Sequence, residues 1–316
     1  MIAAVVLACY TVVAAVWLPV LGQRAAKWSD RAPRLAIALW QAGAASVVAS
    51  AVLAALAFAV PAEIVGHGLA GLFEACADML GDGSSVSRVG LAAMLAAGAA
   101  LSRVLWCGGT VLVRASMERR RHAAMLRLLG RRDAELGVVV IDYDERLAYC
   151  VPGRRAQTVI TTSALRALTP EQLAAVLAHE RAHLRGRHHL VLAGAEALVR
   201  AFPGVPLFER ARTEIARLVE LLADDVAARR HPRAQIAAAL VSLATGRAPA
   251  FTLGAGGETA LSRVRRLLGP EQPLGRRERL TGLLAVSALL GGPAAVALAP
   301  GVGSFLAHHC HSLLSL

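Results

Sequence analysis

Two histidines four residues apart, His179 and His183, carry the strongest chemical signature in this sequence. They frame a glutamate in the segment His179-Glu180-Arg181-Ala182-His183, which has the pattern HExxH. On a helix these two histidines are about 40° apart around the axis, so both imidazoles can reach one metal ion. Glu180 lies one step further round, beside the ion, where it can act as general base on a water molecule. The segment therefore predicts a zinc-dependent hydrolytic site.

The motif needs a helix, and the residues before it supply a clear start. Thr169-Pro170-Glu171-Gln172 offers a capping hydroxyl, a proline at the first helical position and a glutamine three residues after the cap. Apolar residues then continue without a break into His179. We expect the motif to lie in the middle of a helix, as its chemistry requires.

The third zinc ligand has two alternatives, because a hydrolytic zinc site takes three protein ligands and one open position. In the first, His189 completes the pattern HExxHxxGxxH, which is typical of metzincins. That class also needs a methionine turn downstream of the motif. The last methionine of this chain is Met125, which lies upstream. We therefore expect His188 and His189 to be surface or membrane-facing residues.

In the second alternative, Glu220 is the third ligand. It lies in a predicted helix over 209–230, with apolar residues on both sides. An acid within an apolar stripe usually has a partner. Asp224 follows one turn later on the same face and could accept the free ring N–H of a ligating histidine. A solvent-facing acidic cluster is the alternative. We expect His179, His183 and Glu220 to hold one Zn²⁺ per chain.

The composition predicts a membrane protein, with 56% hydrophobic and 18% charged residues in a chain of 316. Segments 1–23, 35–62 and 280–316 contain no Asp, Glu, Lys or Arg, and segment 89–113 is apolar except for Arg103. Each is long enough to span a bilayer. We expect four transmembrane helices, the first of them retained rather than cleaved. Arg103 is a candidate functional charge, unless it snorkels or faces the catalytic domain.

The net charge of +12 suggests nucleic-acid binding at first sight, but its distribution predicts topology instead. Segments 23–34 and 117–279 are net positive, whereas segment 61–88 is net negative. Positive loops stay in the cytoplasm. Both termini are then outside and 117–279 is cytoplasmic. We expect a lipid bilayer and a protein substrate as partners and no direct nucleic-acid binding. An oligomer is possible, but the sequence does not support one.

Three parts follow from this topology. Residues 1–116 contain three transmembrane helices with short loops, 117–279 form the soluble domain, and 280–316 contain the fourth helix and a short outer tail. Within the soluble domain, 117–132 predicts a basic helix continuous with the third span, and β-branched runs at 137–142 and 158–162 predict strands. The fold class is a mainly α membrane protein, with an α+β domain inserted between the third and fourth of its transmembrane helices.

The cysteines form no CxxC pair and no zinc-ribbon spacing. Cys76 and Cys310 both fall on the predicted outer side and could form a disulfide. The tail also contains His308-His309-Cys310-His311, which is either a weak metal-sensing motif or part of a short disordered tail.

The residues around the motif resemble a known family. The run from Ala174 to Arg187, followed by Arg217-x-x-Glu220-x-x-Ala223-Asp224-x-x-Ala227, resembles the BlaR/MecR-type membrane peptidases and, more distantly, the HtpX-like peptidases. The segments 148–162 and 262–270 are also similar to parts of that family. Antibiotic-sensing members carry a penicillin-binding domain after the last span. Only about sixteen residues follow Pro300 here, so we expect this chain to lack that sensor.

The resemblance implies a gluzincin-like zinc endopeptidase, with Glu180 as general base. It implies that the strand 158–162 pairs with the substrate backbone, unless this is an ordinary sheet strand. It also implies that Arg217 either stabilises the oxyanion or forms a structural salt bridge. The expected function is cleavage of a cytoplasmic regulator, such as a transcriptional repressor, in response to a signal. The alternatives are HtpX-like quality control of membrane proteins and an inactive signalling scaffold.

Overall fold

Helices make up most of what the computed structural model describes, which is residues 2–59, 88–153, 156–244 and 256–314. The helices are α1 Ile2–Arg24, α2 Ala26–Arg31, α3 Pro33–Ala59, α4 Arg88–Leu129, α5 Thr162–Ala167, α6 Pro170–Arg185, α7 His188–Ala201, α8 Pro206–Ala228, α9 Arg233–Ala244, α10 Gly256–Leu268 and α11 Arg276–Leu314. The strands are β1 Arg131–Asp133, β2 Val138–Ile141, β3 Ala148–Val151 and β4 Gln157–Thr161.

Four of these helices are long and apolar enough to cross a membrane: α1, α3, α4 and α11 as far as Ala299. Among the described residues, these four apolar helices coincide with the four segments that the sequence predicts to span the membrane. Large apolar side chains such as Leu105 and Trp106 are exposed on α4, as expected of a surface that faces lipid. The 42 residues of α4 join the third span and the predicted basic helix in one continuous element.

The helices α7 and α8 pack directly against the spans. Trp40 of α3 shares one hydrophobic cluster with Leu207, Phe208 and Leu218 of α8. Arg103, inside the third span, donates from Nε to the backbone carbonyl of Ala201 at the end of α7, at 2.6 Å. Of the alternatives for Arg103, the structure therefore favours contact with the catalytic region. The two helices that follow the HExxH helix share their core with the spans.

The four strands form one sheet in the order β1-β2-β4-β3. β2 and β4 are parallel, whereas β1–β2 and β3–β4 are antiparallel. The runs of β-branched residues correctly predicted β2 and β4. They did not predict β1, which is Arg-Arg-Asp, or β3, which has a single β-branched residue, Val151.

Helices cover both faces of this sheet. On one face, Val140 and Ile160 pack with Ala164 of α5 and Leu177 of α6. On the other face, Leu126 of α4 packs with one valine from each of three strands, Val139 of β2, Val151 of β3 and Val159 of β4. The imidazole Nε2 of His122 and the hydroxyl of Tyr149 lie 2.8 Å apart, which links α4 to β3. The sheet thus fixes β3 between the end of the third span and the HExxH helix.

The prediction that 158–162 pairs with substrate is wrong, because β4 lies in the interior of the sheet. Both of its edges are already paired, with β2 on one side and β3 on the other. Thr158 and Thr161 are buried accordingly. The edge strand on this side is β3, with which no further strand pairs among the described residues.

Some predictions concern residues whose side chains fall outside the described part of the structure. These are the disulfide between Cys76 and Cys310 and the tail motif at His308, His309, Cys310 and His311.

Candidate metal centre

The HExxH helix begins where the sequence predicts. The hydroxyl of Thr169 accepts from the backbone N–H of Gln172, and the Gln172 side chain accepts from the backbone N–H of Thr169, which is a complete capping box. Pro170 occupies the first turn, and the helix continues unbroken to Arg185. Because residues four apart lie about 40° apart around a helix, His179 and His183 share one face, which is turned toward Glu220 of α8.

Three side chains converge at this face. The Nε2 atoms of His179 and His183 are 3.1 Å apart, and each lies 3.5 Å from a carboxylate oxygen of Glu220. Ligand atoms at about 2.0–2.1 Å from a tetrahedral zinc ion are separated by about 3.3 Å. The observed spacings and the donor set of two imidazoles and a carboxylate therefore fit zinc.

Asp224 lies behind His179, as the sequence predicts. Its side chain is fully buried, and Oδ1 lies 2.9 Å from Nδ1 of His179. The ring N–H is not well aligned with this oxygen, so the contact is short but bent. Since Nε2 of His179 faces the site, Nδ1 is the nitrogen that Asp224 can orient.

Arg263 of α10 completes this side of the site, and the sequence reasoning gave it no role. Its guanidinium forms two hydrogen bonds with Asp224, at 2.7 and 2.8 Å, and one with Glu220 at 3.0 Å. The packing of Leu267 in the same cluster as Ala175 of α6 holds α10 in place. The available signal was the family-like segment 262–270, which contains this arginine.

His188 lies on the other side of the site, and the prediction that it faces the surface or membrane is wrong. It is buried, and its Nδ1 lies 3.0 Å from Nδ1 of His183. The two rings meet edge to face, with centroids 4.9 Å apart. A turn at Arg187, whose φ is 48°, separates α6 from α7 and brings His188 back to His183.

His189 is not part of the group that could hold a metal among the described residues. It is the next residue of α7, where its pKa is lowered by partial burial and by the nearby charge of Arg119. The break in the helix after Arg185 gives His188, rather than His189, the contact with His183.

Glu180 lies between the metal-binding face and the edge strand. Burial raises the pKa of its carboxyl group, against the opposing effects of His179 and of a hydrogen bond with the thiol of Cys150. Cys150 belongs to β3, and burial and the neighbouring Glu180 carboxylate raise the pKa of its thiol to about 12. The contact places the middle of β3 next to Glu180.

Burial and the neighbouring charged groups explain why the pKa values of His179 and His183 differ. Burial alone would lower the pKa of His179, but the hydrogen bonds with Asp224 and Glu220 raise it to about 9. Burial and the neighbouring His179 lower the pKa of His183 to about 4. Burial would raise the pKa of Asp224, but its bonds with Arg263 and His179 bring it to about 2. Both carboxylates that face the imidazoles are therefore ionised at neutral pH, because the pKa of Glu220 is lowered in the same way.

Arg217 forms ion pairs instead of facing the metal site. It lies on α8, one turn before Glu220. It contacts Glu214 on its own helix and Asp30 of α2, the short helix in the loop between the first two spans. The structure thus favours the salt-bridge alternative. Arg266 donates to the backbone carbonyl of Asp30, so this loop contacts α10 as well as α8.

A comparison with protein families gives an independent result. Residues 114–203 match the family model described as Peptidase family M48. The match covers the C-terminal end of α4, the sheet, the HExxH helix and α7, and it ends before Glu220. Neither a curated protein nor a solved structure matches the chain. Residues 114–203 are thus similar to the peptidases of this family. Together with the four apolar helices and the convergence of His179, His183 and Glu220, this similarity suggests a membrane-associated metallopeptidase.

Proposed function

We propose that this chain is a membrane-anchored zinc-dependent endopeptidase that cleaves a cytoplasmic regulator such as a transcriptional repressor. The observation that carries the proposal is the spacing of 3.1, 3.5 and 3.5 Å among the inward atoms of His179, His183 and Glu220. These three residues would hold the zinc ion. When bound, zinc supplies a Lewis acid that polarises the scissile carbonyl and increases the acidity of water.

The chain's own residues then have separate roles in peptide hydrolysis. Glu180 takes a proton from the attacking water and passes it to the leaving amine. Its burial raises its pKa toward the range in which one carboxyl group can do both. Asp224 orients His179, and Arg263 holds the Asp224 and Glu220 carboxylates in place.

The substrate backbone adds to the outer edge of β3, with which no other described strand pairs, in place of the role first expected for β4. Cys150 in this strand contacts Glu180, so a chain paired with β3 passes the general base. Strand addition supplies affinity through main-chain hydrogen bonds without demanding a particular sequence.

A photo-crosslinking residue tests this docking edge. The photo-crosslinking residue replaces Pro152, directly after β3, in a Glu180→Ala background that binds but does not cleave the substrate. On illumination it should form a crosslink with the substrate. The matched control is Asp133, in the strand at the opposite edge of the same sheet. Crosslinking from position 133 and not from position 152 would place the substrate at β1. This result would contradict docking on β3.

The proposed topology places both termini outside and residues 117–279 in the cytoplasm, between the third and fourth spans. The support is the charge distribution, because the loop at 23–34 and the long segment are both net positive. Reporter fusions after Arg31 and after Arg229 should both report the cytoplasm. An external signal from either would overturn this topology.

The proposed activity is tested by matched variants of two glutamates on α6. Glu180→Ala should keep zinc and lose cleavage, whereas Glu171→Ala, in the exposed first turn, should keep both. If Glu180→Ala cleaves as well as the wild type, Glu180 is not the general base.

Comparative proteomics of cells with the wild type and with Glu180→Ala identifies the substrate class. Accumulation of one or a few soluble regulators in the variant supports regulated proteolysis. Accumulation of many membrane proteins would replace that proposal with HtpX-like quality control, and an unchanged proteome would favour an inactive scaffold.

A further inference from the structure

His183 needs a partner for its second ring nitrogen. Its Nε2 is turned toward His179 and Glu220, at 3.1 and 3.5 Å. When Nε2 binds a metal, the proton of the neutral imidazole resides on Nδ1, which must then donate a hydrogen bond. The atom nearest to this nitrogen in the described contacts is Nδ1 of His188, at 3.0 Å.

We infer that His188 is a positioning residue, which accepts the Nδ1–H bond of His183 and so fixes the orientation and tautomer of that zinc ligand. The inference rests on the proposed zinc site and extends it, because it assigns a role to a residue that lies outside the ligand set. It gives each ligating histidine its own acceptor: Asp224 for His179 and His188 for His183.

The chain around His188 is shaped to hold this contact. The turn at Arg187 adopts a left-handed conformation, with φ at 48°, so the ring at the start of α7 points back onto α6. Gly186 leaves the space that the ring needs, because a Cβ at that position would overlap Nε2 and Cδ2 of His188. The backbone of Gly186 has φ of −73°, which any residue can adopt. The glycine is therefore required by the His188 ring and not by its own conformation.

The first test measures zinc affinity in the full-length protein by competition with a chelator. His188→Ala should bind zinc about tenfold more weakly, since loss of such an outer partner typically costs 10–100-fold. His188→Asn should recover much of the affinity, because the amide oxygen can replace the Nδ1 acceptor. His189→Ala, the neighbouring histidine outside the metal-binding group, should bind zinc as the wild type does.

The second test uses Gly186→Ala, which displaces the ring without removing it. This variant should weaken zinc binding to a similar extent as His188→Ala. The double variant Gly186→Ala/His188→Ala should be no weaker than His188→Ala alone, because both changes break one contact. Additive losses would show that Gly186 acts independently of His188 and would overturn this part of the inference.

A spectrum of the cobalt-substituted protein adds a readout that a purely structural role would not change. The absorption bands of bound Co²⁺ report ligand orientation, so they should shift in His188→Ala and return toward the wild-type spectrum in His188→Asn. The thermal unfolding temperature of the metal-free proteins shows whether each variant is folded.

The outcomes separate this inference from the proposed function. If the wild type binds zinc stoichiometrically while His188→Ala shows wild-type affinity and spectrum, the role of His188 is refuted and the zinc site stands. If the wild type binds no zinc, the proposed function fails and the inference fails with it.

Discussion

The two histidines of the candidate metal site have different partners at Nδ1, the ring nitrogen that faces away from the metal position. Behind His179 lies Asp224, a fully buried carboxylate whose charge is balanced by Arg263. Behind His183 lies His188, a buried imidazole without a carboxylate of its own in the described contacts. A negatively charged acceptor strengthens the hydrogen bond and increases the basicity of the ligand, whereas a neutral acceptor mainly fixes its orientation.

The opposite directions of the two histidine pKa values reflect this difference. The pKa of His179 is raised to about 9 by Asp224 and Glu220, and that of His183 is lowered to about 4, chiefly by burial. A metal competes with a proton for each imidazole. A raised pKa strengthens that competition at His179, but a charged acceptor such as Asp224 also makes the imidazole a stronger ligand. We expect the His179 side to contribute more to zinc affinity and to stability, and the His183 side to refine the geometry.

Among substitutions outside the three proposed ligands and Glu180, the largest expected effect is that of Asp224→Ala. The change leaves the Arg263 guanidinium without its main partner, and breaking a buried ion pair in this way costs about 3–5 kcal/mol. Zinc affinity should fall by about 100-fold, at the upper end for loss of an outer partner and ten times the fall expected for His188→Ala. Unfolding of the detergent-solubilised protein measures the loss of stability, and competition with a chelator measures the loss of zinc affinity. Equal losses of zinc affinity in Asp224→Ala and His188→Ala would remove the difference between the two sides.

Arg263→Met should separate stability from metal affinity on the His179 side. The substitution leaves the Asp224 carboxylate buried, although still in contact with His179, so stability should fall by about 3 kcal/mol. Zinc affinity should be maintained or increase, because a guanidinium bonded to Glu220 repels a second cation. A loss of zinc affinity as large as that of Asp224→Ala would contradict this division of roles.

Thr169→Ala should reduce the stability of the protein without favouring either side of the metal site, because the capping box supports the helix that carries both histidines. Loss of such a cap costs about 1 kcal/mol of stability. The cap lies more than two helical turns before His179, so zinc affinity should change little in the folded protein. A large change in affinity without a change in stability would require another explanation for Thr169.

The smallest expected effect is that of Asp30→Asn, in the loop between the first two spans. Its partner Arg217 is partly exposed and also pairs with Glu214, so the loss should be below about 1 kcal/mol. Zinc affinity and cleavage should match those of the wild type. A strong loss of cleavage with unchanged zinc content would mean that this loop, and not only the two sides of the site, controls activity.

The sequence predicted the His179 side of the site, with its carboxylates, much better than the His183 side, with its neutral His188 acceptor. Asp224 and Glu220 follow from helical spacing, because acids at i and i+4 within an apolar helix share one face and need partners. The position of His188 depends on a helix break after Arg185 and on the left-handed turn at Arg187, an arginine that carries no glycine-like signal for that conformation.

The fold shows the same limit. Runs of β-branched residues predicted β2 and β4. The length of the segments that have few or no charged residues predicted the four long apolar helices. Strand order is a tertiary property, so nothing in the local pattern of 157–161 showed that β4 would be covered on both edges. Arg263 was missed because it lies 43 positions after Glu220 and reaches the site only through the packing of α10.

The measurement that tests the central claim most directly is the zinc content of purified wild type, Glu180→Ala, Glu220→Ala and His189→Ala proteins. We predict about one zinc per chain in the wild type, Glu180→Ala and His189→Ala, and almost none in Glu220→Ala, which lacks one of three protein ligands. Zinc retained in Glu220→Ala and lost in His189→Ala would contradict the site described here.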